Sequence, residues 1–312
     1  MGNRNGRRRR VGILIAALAA VLVAAFIVPQ RFPDPFGLAL PFEAVLPWLG
    51  VPVALLLIAA LARRAWLGIL VSLLAVAVWS FTFVPRIMPL NPAASADTAE
   101  RITVLSQNLQ GAAGHPSAAA QAALDLQPDL LALQEIDAES RDTLEATLQD
   151  EYPHTARAST VGLWSRYPIV ESEPLDLGLG WSRAVRAVVA TPGGDTAVYV
   201  VHAASARLQS HEQRDKMLAE LADRIRLDES PRVIAMGDFN AGSDDRAFGP
   251  LTEILVEPRQ TAGGFGFSWP RQFPFVRLDH ILERGFDPRD MATIPLGDSD
   301  HLAVTAELRP SN

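Results

Sequence analysis

Polar residues that can do chemistry stand directly after several apolar runs in the second two-thirds of the sequence. The run VIAM leads into GDFN, which places the carboxylate of Asp238 and the carboxamide of Asn240 two positions apart. Other apolar runs end in Asn108, Glu135 and His202. Ligands bind where strand ends converge in layered α/β domains, so these side chains are predicted to share one site.

The donor atoms of the full candidate set suit a divalent cation. The set consists of carboxylates, carboxamides and imidazoles: Asn108, Glu135, His202, Asp238, Asn240, Asp279, Asp300 and His301. Their oxygen atoms are hard ligands that favour Mg²⁺, with Mn²⁺ or Ca²⁺ as alternatives, over zinc. The sequence contains no cysteine, which excludes disulfides, thiolate metal sites and cysteine nucleophiles.

Two histidines, His202 and His301, supply acid–base groups that titrate near neutral pH. An aspartate paired with either ring would fix its tautomer and raise its basicity. Arg186 is a candidate for binding a substrate phosphate, with a framework salt bridge as the alternative. Asp238 and Asn240 taken alone would also suit an ordinary turn.

These candidates lie in a region where short β-branched runs alternate with helical stretches, from Arg101 onward. The predicted strands are ITVLSQN, DLLALQE, TVGLWS, RAVRAVVAT, TAVYVVH, RVIAMGD, FVRLDHIL and HLAVTAEL. The predicted helices are PSAAAQAALDLQ, AESRDTLEATLQD and LQSHEQRDKMLAELADRIRL. This alternation indicates a mixed α/β domain that could bring the strand ends together.

Seven motifs follow one another in this region: QNLQG, LALQE, WSRYPI, VVH, GDFN, RLDHIL and SDHLAV. In this order they resemble the endonuclease/exonuclease/phosphatase superfamily, which includes deoxyribonucleases, apurinic endonucleases, bacterial sphingomyelinases and inositol-polyphosphate phosphatases. The resemblance covers about residues 101–309, and GDFN followed by LDH and SDH is its most specific part. It implies a four-layer α/β sandwich, with two mixed β-sheets flanked by helices. It also implies hydrolysis of a phosphoester by metal-assisted, in-line attack of water.

The resemblance further implies which residues form the metal site. Glu135 matches the principal metal ligand, and Asn108 matches the amide that supports it. Asp300 resembles a carboxylate that can approach the metal. Asp238 and Asn240 match the pair that orients water and phosphate.

The histidine roles are also implied by the resemblance. His301 matches the histidine at the phosphate, and Asp279 matches the carboxylate that orients it. Whether His301 or Asp238 takes the proton from water stays open. His202 matches a second phosphate-contacting histidine, although its context VVHAAS departs from the usual pattern of Thr or Asn before the histidine and Leu after it.

The first ninety residues are predicted to form a membrane domain. Uncharged runs of 18, 19 and 20 residues occupy positions 11–28, 44–62 and 65–84. At the rise of an α-helix each run reaches roughly 27–30 Å, about the hydrocarbon thickness of a bilayer. Three transmembrane helices are therefore predicted, with a cleavable signal peptide as the alternative for the first run.

The distribution of charge predicts the orientation of these spans. Nine of the 28 basic residues and two of the 35 acidic residues lie in positions 1–96, net +7, which leaves 19 and 33 for the remainder, net −14. Arginines precede the first span, and Arg63 and Arg64 connect the second and third, so these ends are predicted to be cytoplasmic. Three crossings would place the remainder of the chain outside. A domain at −14 repels polyanions unless a cation or a basic patch intervenes.

The sequence thus predicts a membrane domain of residues 1–90, a linker of residues 91–100 and a catalytic domain of residues 101–312. The predicted function is a divalent-metal-dependent phosphodiesterase or nuclease, embedded in the cell membrane with its catalytic domain extracytoplasmic. A phospholipid or phosphoinositide phosphohydrolase and a catalytically silent binding module are the alternatives. The substrate would be a nucleic acid or a phospholipid head group, and no protein partner can be inferred.

Overall fold

The protein is described here as a computed structural model that covers residues 2–27, 34, 37–91, 100–208 and 210–311. The chain divides into two compact units, Met1–Met88 and Pro89–Asn312, called the N-terminal and C-terminal units below. This division falls close to the predicted boundary at residue 90. Residues 92–99, most of the predicted linker, lie outside the described residues.

The N-terminal unit is helical. Its elements are α1 (Gly2–Ile27), α2 (Ala39–Val45), a 3₁₀ turn (Pro47–Leu49), α3 (Gly50–Arg63) and α4 (Trp66–Ile87). Two stretches, Arg9–Ile27 and Trp66–Ile87, are long and apolar enough to cross a membrane. The predicted middle span, 44–62, is not one straight helix: the chain bends by 54° between α2 and α3. The described residues therefore hold two candidate spans, or three if the bent pair crosses as one.

Proline explains the break in the middle segment. Pro47 has no amide proton and its ring clashes with the carbonyl of the preceding helical turn, so the helix ends there and α3 restarts after the 3₁₀ turn. Trp79 of α4 donates its indole Nε1–H to the carbonyl oxygen of Pro47 at 3.0 Å. That bond satisfies a backbone acceptor near the break, as an apolar environment requires. With 14 residues, α3 alone is about 21 Å long, too short to span a bilayer core.

The C-terminal unit contains two mixed β-sheets. The first has the strand order β10-β11-β1-β2-β4-β3 and the second has the order β5-β6-β7-β8-β9. Each sheet has one parallel pair, β1 with β2 and β7 with β8, and its other pairs are antiparallel. The strands are β1 (Ile102–Asn108), β2 (Leu130–Gln134), β3 (His154–Ala158), β4 (Val161–Ser165), β5 (Ile169–Leu175), β6 (Ala184–Thr191), β7 (Gly194–His202), β8 (Val233–Asp238), β9 (Asp279–Arg284), β10 (Phe286–Ile294) and β11 (Ala303–Pro310).

Helices cover the outer faces of both sheets, so the unit is an α/β sandwich. The helices are α5 (Pro116–Leu126), α6 (Ser140–Leu148), α7 (Glu212–Leu227) and the short α8 (Gly249–Thr252). One apolar core fills the space between the sheets, with Val104, Val200 and Met236 among its members. A second core packs α5 and α6 on the first sheet, and a third packs α7 and α8 on the second. The predicted sandwich of two mixed sheets with flanking helices is confirmed.

Three strands, β3, β5 and β10, are not among the predicted ones, and each lacks the apolar pattern of a buried strand. β5 is mostly exposed and contains Glu171, Glu173 and Pro174, as suits the edge of a sheet. β10 is also an edge strand and carries Pro288 at a register shift. The predicted strand FVRLDHIL starts at Phe275, which is too early, because β9 begins only at Asp279.

Glu283 in β9 makes the stability of the fold sensitive to pH. Its carboxylate is buried and accepts the Phe286 amide at 3.1 Å. Burial raises the pKa of Glu283 from 4.5 to about 7, with a smaller contribution from Asp287. The folded state therefore binds the proton more tightly than the unfolded state. The stability that protonated Glu283 contributes to the folded state is fully present below pH 4.5 and is lost as pH rises through 7.

We predict that Glu283→Gln raises the free energy of unfolding at pH 8.5 by about 1–2 kcal/mol, because it removes a buried charge and keeps an acceptor for Phe286. The difference from the wild type should shrink by pH 5. Urea denaturation of the full chain in detergent at both pH values measures it. Glu257→Gln is the control of opposite sign: burial raises the pKa of Glu257, but Arg277 and His280 outweigh it and lower the pKa. An equal gain at both pH values would contradict the prediction.

Candidate active site

Three candidate residues form a row across one end of the second sheet. His202 ends β7 and lies opposite Asp238, the last residue of β8. Asp238 in turn lies opposite Asp279, the first residue of β9. The register of this sheet therefore brings together an imidazole and two carboxylates that are far apart in the sequence, as the strand-end pattern predicted.

The GDFN motif has a backbone that fixes how Asp238 is presented. Gly237 has φ = +143°, and a Cβ there would overlap the carbonyl oxygen of Val201, so only glycine fits. Asn240 has φ = +48°, and its amide donates to Asp238 Oδ1 at 2.8 Å. Its side-chain Nδ2–H donates to the carbonyl of Ala203 at 3.0 Å. The motif thus ends a buried strand in a turn that holds one oxygen of Asp238 and leaves Oδ2 facing the site.

The first sheet contributes a carboxylate and an amide at the same place. Asn108 ends β1, and Glu135 follows β2 with φ = +58°. Asn108 Nδ2 donates to Glu135 Oε1 and to Asp238 Oδ2, both at 3.0 Å. Its Oδ1 accepts the amide of Gln110 at 2.9 Å, which fixes the orientation of the carboxamide. One amide group therefore bridges two carboxylates that belong to different sheets.

His301 forms a buried pair with Asp279. Its Nδ1 lies 2.8 Å from Asp279 Oδ2. The loop before it is fixed by Ser299, whose Oγ donates to the Asn108 carbonyl at 2.7 Å and accepts the His301 amide at 3.1 Å. Burial lowers the pKa of His301, but Asp279, with Asp238 and Asp300, outweighs it and raises the pKa to about 10. The imidazole is therefore a cation at neutral pH, stabilised by the carboxylate that orients it.

His202 has the opposite protonation state. Its Nε2 lies 3.5 Å from Glu135 Oε1 and 3.9 Å from Asp238 Oδ2. Arg183 Nη2 lies 2.7 and 2.8 Å from the two ring nitrogens. Burial lowers the pKa of His202 to about 3, with Arg183 and His301 adding to the effect. This ring is neutral at physiological pH and accepts a hydrogen bond from the guanidinium of Arg183, but it does not serve as a cation.

The donor set fits a divalent cation. Ligand atoms of Glu135, His202 and Asp238 lie within 4.8 Å of one another, and so do those of Asp238, Asp279 and His301. Asp238 belongs to both groups, and burial raises its pKa, with Asp279 adding to the effect. Asp279 Oδ1 is buried and has no hydrogen-bond partner among the described residues. The three carboxylates of these groups, Glu135, Asp238 and Asp279, outnumber the two neighbouring cationic side chains, His301 and Arg183, and hard oxygen donors suit Mg²⁺, Mn²⁺ or Ca²⁺.

Two of the predicted charged residues, Asp300 and Arg186, lie outside both groups of ligand atoms. The Asp300 carboxylate accepts the indole Nε1–H of Trp269 at 3.2 Å and is in neither group. Arg186 donates through Nε to Asp228 at 2.7 Å, in a surface cleft formed with Tyr199 and the end of α7. This is the framework salt bridge that was the alternative for Arg186.

Arg183 is the site residue that the sequence did not reveal. It lies three positions before Arg186, just ahead of β6, and its side chain reaches His202. The pKa of Arg183 is lowered, because the effect of burial exceeds the opposite effect of the nearby carboxylates of Asp238 and Glu135. Exposed Trp181 stacks against the guanidinium at 5.2 Å. Nothing in the segment GLGWSRAV distinguishes this arginine from Arg186, because only the turn before β6 decides which of the two points into the site.

The profile described as the Endonuclease/Exonuclease/phosphatase family matches residues 105–301. Among curated proteins no significant match was found.

Several solved structures have the same fold as the C-terminal unit. D. rerio TDP2 in complex with a single-strand DNA product is 20% identical, covers 68% of this chain and 100% of its own, and has a TM-score of 0.57. A beta toxin from Staphylococcus aureus is 16% identical, with 66% and 99% covered and a TM-score of 0.53. An endonuclease/exonuclease/phosphatase family protein from Bacteroides thetaiotaomicron is 15% identical, with 68% and 98% covered and a TM-score of 0.58. At these identities the likeness establishes the fold.

Proposed function

Because the chain belongs to the endonuclease/exonuclease/phosphatase family, we propose that its C-terminal unit is a divalent-metal-dependent phosphodiesterase of the nuclease type. The observation that carries this proposal is the convergence of Glu135 and Asp238 on one donor, Asn108 Nδ2, at 3.0 Å each. The buried Asp279–His301 pair adjoins it through Asp238. These are the parts that phosphoester hydrolysis requires: a cation site, a group that orients water, and a cationic hydrogen-bond donor.

Glu135 and Asp238 would hold the metal ion, with Asn108 beside them. The ion would neutralise phosphate charge and acidify water near the carboxylates. His202 is a poorer ligand, because a guanidinium nitrogen already lies within 2.8 Å of both of its ring nitrogens. A bound cation would also offset part of the net charge of −14 on residues 97–312, which would otherwise repel an anionic substrate.

The remaining residues have separate tasks in this proposal. Asp238 Oδ1 is held by the Asn240 amide at 2.8 Å, so the carboxylate can orient the attacking water and accept its proton. His301, charged and fixed by Asp279, donates a hydrogen bond where negative charge develops on the phosphate. As the water oxygen bonds to phosphorus, its proton passes to Asp238, the ester P–O bond breaks, and the leaving oxygen takes a proton from solvent while Asp238 returns its own proton to solvent.

Arg183 and neutral His202 form the phosphate-binding side of the site. We predict that Arg183→Gln lowers kcat/KM about 10²-fold, because a charged donor to the phosphate is lost. Arg186→Gln is the matched control: it makes the same change three residues away, on a side chain paired with Asp228, and should change kcat/KM less than about threefold. Steady-state kinetics of both variants measure this difference. An equal loss of kcat/KM in the two variants would contradict the assignment of Arg183 as a phosphate-binding residue.

A hydrolysis assay with nucleic-acid substrates in one arm and lipid substrates in the other tests the proposed activity. The full chain in detergent is assayed with Mg²⁺, Mn²⁺ or Ca²⁺, or with EDTA, on plasmid DNA, single-stranded DNA, RNA, sphingomyelin and phosphoinositides. Metal-dependent cleavage of a nucleic acid is expected. Cleavage of a lipid head group alone would support the second candidate, which the exposed Trp181 beside Arg183 and the apolar N-terminal helices favour. No hydrolysis by a folded chain would support a binding module instead.

We also propose that the C-terminal unit is tethered to the outer face of the membrane. Support comes from the arginines at one end of the candidate spans, and the proposal requires three crossings, with the bent α2–α3 pair crossing as one span. The count matters because two crossings would leave the unit on the same side as the N-terminus. Protease added to intact spheroplasts should remove the C-terminal unit. Complete protection, with cleavage only after lysis, would instead place it in the cytoplasm.

A further inference from the structure

The N-terminal unit contains a basic cavity that the hydrolase site does not use. The cavity has a volume of about 360 Å³ and lies where the start of the apolar part of α1 meets the turn between α3 and α4. Its lining combines three arginines with apolar and small residues: Arg9, Gly12, Ile13, Arg63, Arg64, Ala65, Trp66 and Leu67. No acidic residue lines it.

The three guanidinium groups have no counter-ion in the described part of the chain. Arg9, Arg63 and Arg64 are exposed, and none forms a salt bridge with a described carboxylate. Three like charges around one cavity repel each other, and an anion within it would relieve that repulsion. Guanidinium groups bind phosphate oxygens with paired hydrogen bonds, so phosphate chemistry fits best.

Close packing shapes this cavity and closes its floor. A Cβ at Gly12 would lie 3.1 Å from the Ala65 Cβ, so α1 approaches the α3–α4 turn to within contact distance. One turn deeper, a Cβ at Gly68 would lie 3.2 Å from Ile15 Cγ2 and 3.3 Å from the Ala60 Cβ. Small residues therefore let α1 contact α4 and the α3–α4 turn directly, and the cavity lies beside this contact, between the arginine side chains.

Apolar side chains continue from the cavity along the outer surface of the helices. Ile13 and Leu67 line the cavity and are 50% and 54% exposed, and Leu70 follows on α4 at 64%. Trp66, the first residue of α4, is 74% exposed, and indole rings favour the membrane interface. A ligand that fits both features has an anionic phosphate and an acyl chain.

We propose that this cavity binds the phosphate head group of an anionic phospholipid, with the acyl chain lying along Ile13, Leu67 and Leu70. Basic pockets between membrane helices suit such head groups. The site is separate from the hydrolase site and does not depend on the proposed activity. It would hold one lipid at the end of the helices that carries the arginines.

Native mass spectrometry of the full chain, released from a nonionic detergent, tests the proposal. Phosphatidylglycerol, phosphatidylcholine with the same acyl chains, and inorganic phosphate are the ligands. Arg9→Gln removes a cavity arginine, and Arg10→Gln makes the same change on its exposed neighbour, which is not part of the lining. Arg64→Gly removes a second cavity arginine at φ = +51°, where glycine preserves the turn.

The wild type is expected to retain phosphatidylglycerol over phosphatidylcholine. Arg9→Gln and Arg64→Gly should each weaken phosphatidylglycerol binding about fivefold, and Arg10→Gln less than about twofold. Equal losses for all three variants would reduce the effect to diffuse surface charge and overturn the proposal. Equal retention of phosphatidylcholine would also overturn it. Displacement of the lipid by inorganic phosphate at the same concentration would show a site for the free anion instead.

Discussion

Glu135→Gln is expected to lower metal-dependent kcat/KM by about 10³-fold, which corresponds to about 4 kcal/mol of lost transition-state stabilisation. Glu135 Oε1 is one of two carboxylate oxygens that lie 3.0 Å from Asn108 Nδ2. Glutamine keeps the size of the side chain but replaces one oxygen with a donor and removes the charge. Asp238 would then be the one carboxylate that remains on Asn108 Nδ2, so a divalent ion would be held by less negative charge and would bind more weakly.

The measurement should separate metal binding from chemistry. Titration calorimetry with Mn²⁺ is expected to show weaker binding by Glu135→Gln, and excess metal should restore part of the activity. Glu139→Gln is the matched control, since Glu139 is exposed four residues further on and lies outside both acidic groups. Circular dichroism checks that both variants fold. Full activity of Glu135→Gln at limiting metal would refute the assignment of Glu135 as a ligand.

Asp279→Asn is expected to lower kcat by about 10³-fold while KM and metal affinity change only a few-fold. The carboxylate lies 2.8 Å from His301 Nδ1 and is the main reason that the pKa of His301 is raised to about 10. Without it, burial lowers the pKa of this imidazole and only Asp238 and Asp300 still raise it, so we expect the pKa to fall and more of the ring to be neutral at neutral pH. A neutral ring with no fixed tautomer cannot donate reliably to the phosphate.

Two readouts distinguish this role from a structural one. In the metal-free wild type, the NMR signal of ¹³C-labelled His301 should keep its charged form above pH 8. In Asp279→Asn it should titrate near or below the ordinary value of about 6.5. Asp287→Asn is the control, because Asp287 is half exposed and pairs with Arg309 away from the site. An unchanged titration of His301, together with lost activity, would show that Asp279 acts by another route.

The sequence determined the composition of the site because the chemistry needs particular residue types at strand ends. Asn108, His202 and Asp238 end strands, and Glu135 directly follows one, where the change from an apolar run to a polar residue is visible without coordinates. Such features are local, so the sequence alone predicts them, and with them the class of fold.

The tertiary structure decided how these residues are paired. His202 and His301 look alike in the sequence, but Arg183 lies against the first and Asp279 against the second, so one ring is neutral and the other charged. The turn before β6 directs Arg183 into the site and leaves Arg186 paired with Asp228.

The same holds for the elements that the sequence misjudged. The edge strands β5 and β10 carry exposed and charged residues, so their backbone pairing with a neighbour defines them rather than any apolar pattern. The middle apolar run looks like a span, yet its bend at Pro47 depends on backbone geometry. Residue type fixes which atoms a chain can offer for chemistry. Which of those atoms meet, and with what charge, depends on contacts between segments that lie from 19 to 130 residues apart, and these exist only in the folded chain.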